Sequence, residues 1–539
     1  MTNDTNSRMN ICIMRIPFLA LLISATAAQA QLVGTRELVV QEITIPGMPG
    51  VQSFAWGQFD GQWFIIGGRT DGLHRRQPPF AFLASGNNTS AYVVDPVTAQ
   101  VWSAPLTTLP QAMLEQLQST NMEFDQREGT LYCVGGYGYS PTALDHITHP
   151  RLTAIDLPGV MNAIRNGAPI ASFFRQITDE RMAVTGGQMR LIDGWFNLVG
   201  GQRFIGRYNP NGPDFGPGFI QEYTNAVRRF HVLDDGDQLV IADLWEHVDT
   251  VNLHRRDYNM LPQVFPDGQV GLTVFTGVFQ YAEDLPWLNT VDIRDTTVTV
   301  VPGFQQLLNQ YHGAHAGLYD AASNTMRSLF LGGIGRYYFD DAGTLWDDPN
   351  VPFVRTISLV QRDAAGAMSE AQVGLMPGLL GASAEFIPWP ATPQDENGIL
   401  LESQFTGDTV VLGHVVGGIE SSASNIFFIN TGVESQASTR VFRVLLVDPG
   451  TGSPEPAAHG MGLQVLNDAG LLYLTTTLPE GRTGGFRILD AMGRPVHVPS
   501  DTVPGGRWTG TVDVRGLAEG AYLVELRAGD KRIVRRFVR

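Results

Sequence analysis

The sequence predicts an all-β protein made of repeated sheets, and three observations support this prediction. The 539 residues include 60 glycines and 32 prolines but only 17% charged residues, which favours short strands and turns over long helices. Short apolar runs that end in a glycine pair recur down the chain. Residues 460–539 contain closely spaced short strands separated by turn residues.

The best-defined repeat spans residues 63–110. It begins with Trp63-Phe64-Ile65-Ile66-Gly67-Gly68, an apolar run that predicts a strand buried on both faces. The glycine pair allows a positive φ and the close approach of a neighbouring sheet. Asp95-Pro96 then predicts a turn between two further strands, and Val101-Trp102 predicts an outer strand.

Similar runs recur downstream, at steps of 56 to 85 residues. They lie at 131–136, 196–201, 274–277, 329–333 and 414–418, and in the degenerate copy at 274–277 Thr276 replaces the first glycine. Repeats of this length with four strand signals each predict the blades of a propeller, six in number. The pattern resembles the kelch-type β-propeller family, which implies a six-bladed kelch-like β-propeller over residues 31–449. A further pair, Gly186-Gly187, breaks the spacing and is interpreted as a turn within the second blade.

The resemblance also implies a binding face. In kelch-type propellers the loops between the second and third strands open on the same face as the loops between blades. Leu-His-Arg-Arg occurs twice on such loops, at 73–76 and 253–256. Arginine pairs with carboxylates through two hydrogen bonds, and aromatic faces stack on sugars. We therefore expect a non-catalytic site for a glycan or protein ligand, formed by Arg69, His74, Arg75, Arg76, Tyr137, Arg203, His254, Arg255, Arg256, His312, His315 and Arg336.

Other interpretations of these residues stay open. Arginine and tyrosine side chains also tie down long loops through backbone carbonyls. The protein is alternatively an extracellular metal-dependent oxidase or carbohydrate-active enzyme, or a structural surface component. An oxidase of the galactose-oxidase kind needs a cysteine-linked tyrosine, and Cys133 with Tyr137 supplies the residue types without a defined motif.

Chemical motifs are sparse in this chain. We find no zinc helix, phosphate loop or nucleophile elbow, and we expect no catalytic residue, metal or cofactor. His312 and His315 are metal-ligand types without an identifiable third ligand, and residues 234–237 lack the rest of a calcium loop. Cys133 is expected to be a buried thiol. The net charge of −17 argues against nucleic-acid binding.

The N-terminal residues predict export. Arg8 and Arg15 give residues 1–30 a basic start, and residues 16–28 form an apolar segment. The sequence Ala28-Gln29-Ala30 at its end matches a cleavage site and predicts cleavage between Ala30 and Gln31. No other apolar run reaches the ~18 residues of a membrane span, so the mature chain is expected to lack one. A strand from residues 37–45 competes with residues 440–448 for the outer position of the last blade, where it would close the ring.

The C-terminal residues predict a separate domain. Residues 450–459 form a Pro/Gly linker, and the strand spacing in residues 460–539 predicts a small Ig-like β-sandwich. Segments 486–496, 512–526 and 535–539 resemble the C-terminal sorting domain of the type IX secretion system, although the family's usual Asn-Pro is replaced at residues 466–469. The resemblance implies recognition by the type IX machinery and a surface-anchored or secreted protein. The matching residues are Gly493, Arg494, Leu517, Gly520, Tyr522, Arg535 and Arg536.

Overall fold

The protein is all-β, as predicted: strands make up 53% and helices 7% of the computed structural model. The structure describes residues 32–448 except 213 and 215, and residues 462–539 except 469–470, 480, 491–493, 498–501, 519 and 530. The expected signal segment, its cleavage site at Ala30 and Gln31, the linker at 450–459 and Gly493 lie outside the described residues.

Six antiparallel sheets occupy the described part of residues 32–448, and each is built on four neighbouring strands. Sheet 1 comprises Ala55–Phe59, Gln62–Ile66, Ser90–Asp95 and Gln100–Pro105. Sheet 2 comprises Thr120–Arg127, Thr130–Ser140, Arg151–Asp156 and Phe174–Thr178. Sheet 3 comprises Gln188–Ile192, Trp195–Val199, Ala226–Asp234 and Leu239–Val248.

The remaining three sheets follow the same plan. Sheet 4 comprises Asn259–Val264, Val270–Phe275, Val291–Arg294 and Thr297–Val300. Sheet 5 comprises His315–Asp320, Thr325–Ile334, Phe353–Arg362 and Met368–Leu375. Sheet 6 comprises Leu379–Pro388, Thr409–Ser421, Val441–Val447 and, from the N-terminus, Arg36–Ile43.

Shorter elements decorate these sheets. Asp145–Thr148, Gln202–Ile205 and Ile220–Tyr223 extend sheet 2, Leu400–Leu401 joins sheet 5, and Leu32–Val33 and Ser435–Ala437 join sheet 6. Tyr337–Phe339 and Leu345–Asp347 form a separate hairpin. The α-helices are Gln111–Leu117 and Leu157–Arg165, and the second is capped by Asp156, whose side chain accepts from the Gly159 N–H. Within the described residues no helix is long and apolar enough to cross a bilayer.

Hydrophobic clusters fill the seams between successive sheets. In sheet 1, Trp63 and Ile65 pack against sheet 6, whereas Phe64 and Ile66 pack against sheet 2. All four of these side chains are fully buried, so the strand is covered on both faces as its sequence predicts. Equivalent clusters join sheets 2 and 3, 3 and 4, 4 and 5, and 5 and 6. The six sheets therefore pack in a closed cyclic order.

The N-terminal strand completes this cycle. Arg36–Ile43 pairs with Val441–Val447, with Val40 opposite Val444. Residues 37–45 and 440–448 were expected to compete for the outer position of the last repeat. Both belong to sheet 6: the N-terminal strand is its outer, fourth strand and Val441–Val447 is its third. The two ends of this region are therefore held by backbone hydrogen bonds, and the outer edge of the third strand is covered.

The glycine pairs permit the close approach between sheets. Both glycines of the pairs at 67, 135, 200, 332 and 417 have positive φ, and so does Thr276 in the degenerate copy. A Cβ on Gly135 would lie 1.8 Å from the Val184 carbonyl oxygen, in the segment that leads into the next sheet. The Gly136 N–H donates to that same oxygen at 2.9 Å. A glycine is therefore required at position 135 both by the close Val184 carbonyl and by the positive φ.

The C-terminal residues form two sheets around one core. One sheet comprises Gly462–Asp468, Leu471–Leu478 and Gly506–Asp513, and the other comprises Pro495–His497, Gly485–Asp490, Ala521–Ala528 and Lys531–Val538. Leu472 and Leu474 of the first sheet share a cluster with Ile488 and Val524 of the second. The buried Glu525 carboxylate accepts from Arg487 at 2.7 Å and Arg527 at 2.6 Å, which compensates its charge.

Candidate functional site

A cavity of about 420 Å³ lies where loops of all six sheets converge. Its lining includes Gln52 from the segment before sheet 1, Tyr137 from sheet 2, Phe279 from a loop of sheet 4, Ile334 from sheet 5 and Phe428 from a loop of sheet 6. A volume of this size matches small-molecule pockets, which bury most of the ligand surface. We call this the axial cavity.

The floor of the axial cavity is a closed ring of backbone hydrogen bonds. One residue at the start of each sheet donates its N–H to the carbonyl of a neighbouring sheet's residue, over 2.7 to 3.4 Å. In the order in which each donates to the next, the ring runs Ser53, Ser383, His312, Asp257, Gly186, Asn121 and back to Ser53. All six residues line the cavity. The ring joins every sheet to both neighbours and satisfies backbone groups that the inner strands leave free.

Gly186 belongs to this ring, between sheets 2 and 3, so the interpretation of Gly186-Gly187 as a turn within the second repeat is wrong. Gly186 lies two residues before the first strand of sheet 3 and has a φ of 68°. Ser53, Asn121, Asp257 and Ser383 have φ values of 50° to 54° at the equivalent places. Glycine, asparagine and aspartate tolerate this left-handed region better than most residues, which explains why a glycine pair occurs here outside the main repeat.

Aromatic side chains form one wall of the cavity. His74 stacks on Phe82 with ring centroids 4.2 Å apart and meets Tyr208 edge-on at 5.3 Å. Tyr137 packs between Phe82 and Phe204, and its hydroxyl donates to the Gly206 carbonyl at 2.7 Å. Burial lowers the pKa of His74 to about 4 and raises that of Tyr137. Both side chains are therefore neutral at pH 7, so these rings bring no charge to the wall.

Three arginines reach the cavity, and their partners differ. Arg69 is buried and forms two bonds to the Asp71 carboxylate, at 2.7 and 2.5 Å. Burial alone would lower the pKa of Arg256, but the adjacent Asp257 carboxylate outweighs it and raises the pKa. Arg76 forms no ion pair with any described residue, and its guanidinium lies over the Phe428 ring at 4.6 Å. Arg76 is therefore the cation best placed to meet an anionic or hydroxyl group.

His312 brings a titratable group to the floor. Its Nε2 lies 3.1 Å from Oε1 of Glu385, whose Oε2 accepts from the Trp56 indole N–H at 3.3 Å. Glu385 is buried and belongs to the first strand of sheet 6. A carboxylate on one ring nitrogen fixes the tautomer and leaves Nδ1 as an acceptor. The arrangement is that of a histidine oriented for hydrogen bonding or proton transfer.

Six of the twelve predicted binding residues line the axial cavity: Arg69, His74, Arg76, Tyr137, Arg256 and His312. The other six lie outside its lining. Arg75 covers Phe80, Arg203 pairs with Glu180, and Arg336 pairs with Asp347. His254 is stacked between Tyr223 and Tyr281, Arg255 is buried on backbone carbonyls, and His315 lies on the first strand of sheet 5 against Arg190. Arg255 therefore does what the alternative interpretation expects of a loop arginine: it ties the loop down through backbone carbonyls.

Sequence reasoning missed the polar floor and much of the aromatic wall. Ser53, Asn121 and Ser383 are short polar residues outside the predicted apolar runs, and nothing in a single copy marks them. Ser53 precedes the first strand of sheet 1, whereas Asn121 and Ser383 lie within the first strands of sheets 2 and 6, so no common register marks them in the sequence. Phe82 and Tyr208 lie in long loops, and Phe204 lies on the short added strand Gln202–Ile205, so no periodic pattern applies to them.

A buried acid, Glu123, lies next to the ring of backbone hydrogen bonds. The Glu123 carboxyl accepts from the Gly187 N–H at 2.7 Å through Oε1, while its buried Oε2 has no hydrogen-bond partner among the described residues. Burial raises the pKa of Glu123 to about 8, so this group is largely protonated at pH 7. A neutral carboxyl avoids an unpaired charge in the centre of the molecule.

The proposed metal ligands do not converge. Nδ1 of His315 bonds to the Gly313 carbonyl at 2.7 Å and Nε2 faces Arg190 at 3.3 Å, whereas His312 faces Glu385. No group of three His, Cys, Asp or Glu side chains in the described ranges is arranged to hold a metal ion. Cys133 is a free thiol inside the core between sheets 1 and 2, whereas Tyr137 lies in the cavity wall.

The C-terminal motif residues have structural contacts. Arg494 bonds to Asp490 at 2.8 Å, and Gly520 exchanges two backbone hydrogen bonds with Arg539. The Tyr522 hydroxyl donates to the Ala518 carbonyl at 3.0 Å, and its ring stacks on Phe537. Leu517 packs on the shared core and Arg535 is exposed, while Arg536 lies in the last strand. Gly520 and Tyr522 thus anchor the start of Ala521–Ala528, whereas Arg494 is tied to the strand that ends at Asp490.

Comparison with known proteins adds no family. No family model and no curated protein matches the chain. The solved structure of YjhT is 10% identical, covers 74% of this chain and 97% of its own, and has a TM-score of 0.41. A fungal alcohol oxidase of the AA5 family, in complex with copper, is 9% identical, covers 94% of this chain and 99% of its own, and has a TM-score of 0.36. These low scores leave the axial cavity to be interpreted from its own residues.

Proposed function

We propose that this protein is a six-bladed, kelch-like propeller that binds a carbohydrate in the axial cavity. The observation that carries the proposal is a cavity of about 420 Å³ in which an aromatic wall faces a polar floor. A sugar ring has apolar faces and hydroxyl edges, so it can stack on Phe82 or Phe204 while bonding to the floor. The cyclic seams and the glycine pairs support the propeller architecture.

The polar groups of the cavity suit hydroxyls. Ser53 and Ser383 carry hydroxyls, Asn121 an amide, and His312 an acceptor nitrogen, which together provide donors and acceptors within one floor. Arg76 supplies a charged donor at the Phe428 side of the lining. A few well-placed polar groups in an otherwise apolar pocket are typical of specific small-ligand sites, which favours a glycan over a protein ligand here.

Arg76→Ala is expected to weaken glycan binding about tenfold, because a charge-assisted hydrogen bond contributes roughly 1.5 kcal/mol or more. A glycan array probed with the full chain identifies the ligand, and titration calorimetry measures its affinity. Arg203→Ala is the matched control, since its guanidinium pairs with Glu180 and does not line the cavity. Equal affinity of the Arg76 variant and the parent would show that the glycan binds elsewhere.

The His312–Glu385 pair favours a second candidate, a carbohydrate-active enzyme that uses His312 for proton transfer. Product analysis of the protein incubated with its glycan separates the two functions. A binding module returns the glycan unchanged, whereas an enzyme forms a product whose yield falls when His312 is replaced by glutamine. A chain that retains no glycan and forms no product would instead be a structural surface component.

We also propose that the chain is exported and sorted by its C-terminal domain. The two sheets around one core give residues 462–539 their own folded unit, as a recognised tail requires. Removing residues 460–539 is expected to trap the protein between the inner and outer membranes of the cell, because the sorting signal is lost. Surface labelling and fractionation measure this, and unchanged surface exposure of the truncated chain would refute the sorting role.

A further inference from the structure

Exposed aromatic side chains concentrate on the loops around the axial cavity. Among the described residues, five aromatic side chains are strongly exposed, and four of them lie on loops between second and third strands. These are Phe80 at 47%, Tyr281 at 62%, Trp346 at 51% and Phe428 at 72% exposure, on sheets 1, 4, 5 and 6. We call them the aromatic rim. The fifth, Phe59, lies at the turn between the first two strands of sheet 1.

The aromatic rim lies on loops that line the cavity. Phe428 itself lines the cavity, and Phe80 and Tyr281 are each two residues from a lining phenylalanine, Phe82 or Phe279. Trp346 is three residues from Pro349, which also lines it. Each of these four loops therefore contributes a lining residue and an exposed aromatic side chain.

Each rim side chain is held on its protein side. Arg75 lies over Phe80 at 4.1 Å, and Arg76 lies over Phe428 at 4.6 Å. Tyr281 stacks on His254 with centroids 4.0 Å apart, and the Trp346 indole N–H donates to Asp340 at 2.8 Å. Each of these residues nevertheless keeps 47% to 72% of its surface exposed. Rings that are already positioned lose little conformational entropy when a ligand stacks on them.

The rim suits a chain of sugar rings better than a protein. A protein interface favours one contiguous apolar core, whereas the rim side chains sit on four separate loops beside charged groups such as Arg75 and Asp340. Separate flat platforms with polar neighbours match sugar units, each of which has an apolar face and hydroxyl edges. We propose that the rim binds successive units of an oligosaccharide whose terminal unit occupies the axial cavity. This inference rests on the carbohydrate-binding function proposed above.

Chain length is the variable that tests this proposal. Calorimetry measures the affinity for chains of one, two, four and six units of β-1,4-linked glucose, N-acetylglucosamine and mannuronate. The affinity for at least one series is expected to rise at least tenfold between one and four units. Trp346→Ala and Tyr281→Ala are each expected to lower the tetrasaccharide affinity roughly three- to tenfold and to leave the monosaccharide affinity unchanged. Phe59→Ala is the control and is expected to change neither affinity.

The outcomes separate the two proposals. Equal affinities for one and six units, or rim variants that bind the tetrasaccharide like the parent, would overturn the rim proposal and leave the carbohydrate site in place. Absence of binding by all three series would overturn both. Sedimentation of the same samples tests a second copy as the occupant, because a dimer that dissociates in the Trp346 variant would assign the rim to self-association and overturn the proposal.

Discussion

Gly135→Ala is expected to lower the free energy of unfolding by roughly 4 kcal/mol or more, among the largest effects of any single substitution. A Cβ at this position would lie 1.8 Å from the Val184 carbonyl oxygen, which belongs to backbone and cannot rotate away. That oxygen also accepts from the Gly136 N–H, so moving it breaks a bond between sheets 2 and 3. The positive φ of 66° adds about 1–2 kcal/mol of strain for an alanine.

Gly61→Ala is the matched control for this substitution. Gly61 has a similar φ of 73°, but a Cβ there meets nothing within 4 Å. The control is therefore expected to lose only the strain, about 1–2 kcal/mol. Urea denaturation of both variants measures the difference. Similar losses in the two proteins would show that the seam between sheets 2 and 3 yields to a methyl group, and the contact argument would be wrong.

Arg255→Ala is expected to lower the free energy of unfolding by roughly 3–5 kcal/mol. The buried guanidinium donates to the carbonyls of Asn252, Thr276 and Asn289 and to the Asn289 side chain, over 2.5 to 2.9 Å. Without it, these buried acceptors lose their donor, and each unsatisfied acceptor costs about 1–3 kcal/mol. Alanine also leaves empty the volume of one of the largest fully buried side chains.

Arg75→Ala tests the same position in the other Leu-His-Arg-Arg copy. Arg75 is only half-buried and has a cation–π contact with Phe80, so its loss is expected to cost about 1 kcal/mol or less. Thermal and urea unfolding of the two variants measure the contrast. Equal stability of the Arg255 and Arg75 variants would contradict this prediction. It would mean that the loop around Arg255 rearranges so that its carbonyls find other donors.

The local pattern of the chain was sufficient to predict the sheets. The run from Trp63 to Gly68 gave both the doubly buried strand and the positive φ of its glycines, because burial and backbone conformation act on each residue type directly. The degenerate copy at Thr276 was also identified correctly as a second strand with the same ending. The short strands of residues 460–539 were predicted for the same reason.

Only the tertiary structure decided which loop side chains form the site. Arg75 and Arg255 occupy equivalent places in identical tetrapeptides, yet one is half-buried and the other fully buried, since different loops cover them. Ser53, Asn121 and Gly186 join one ring although they lie 68 and 65 residues apart. Such convergence depends on the cyclic packing of six sheets, which no local pattern contains. The sequence alone determined strands and turns, and the closure of the sheets determined the cavity.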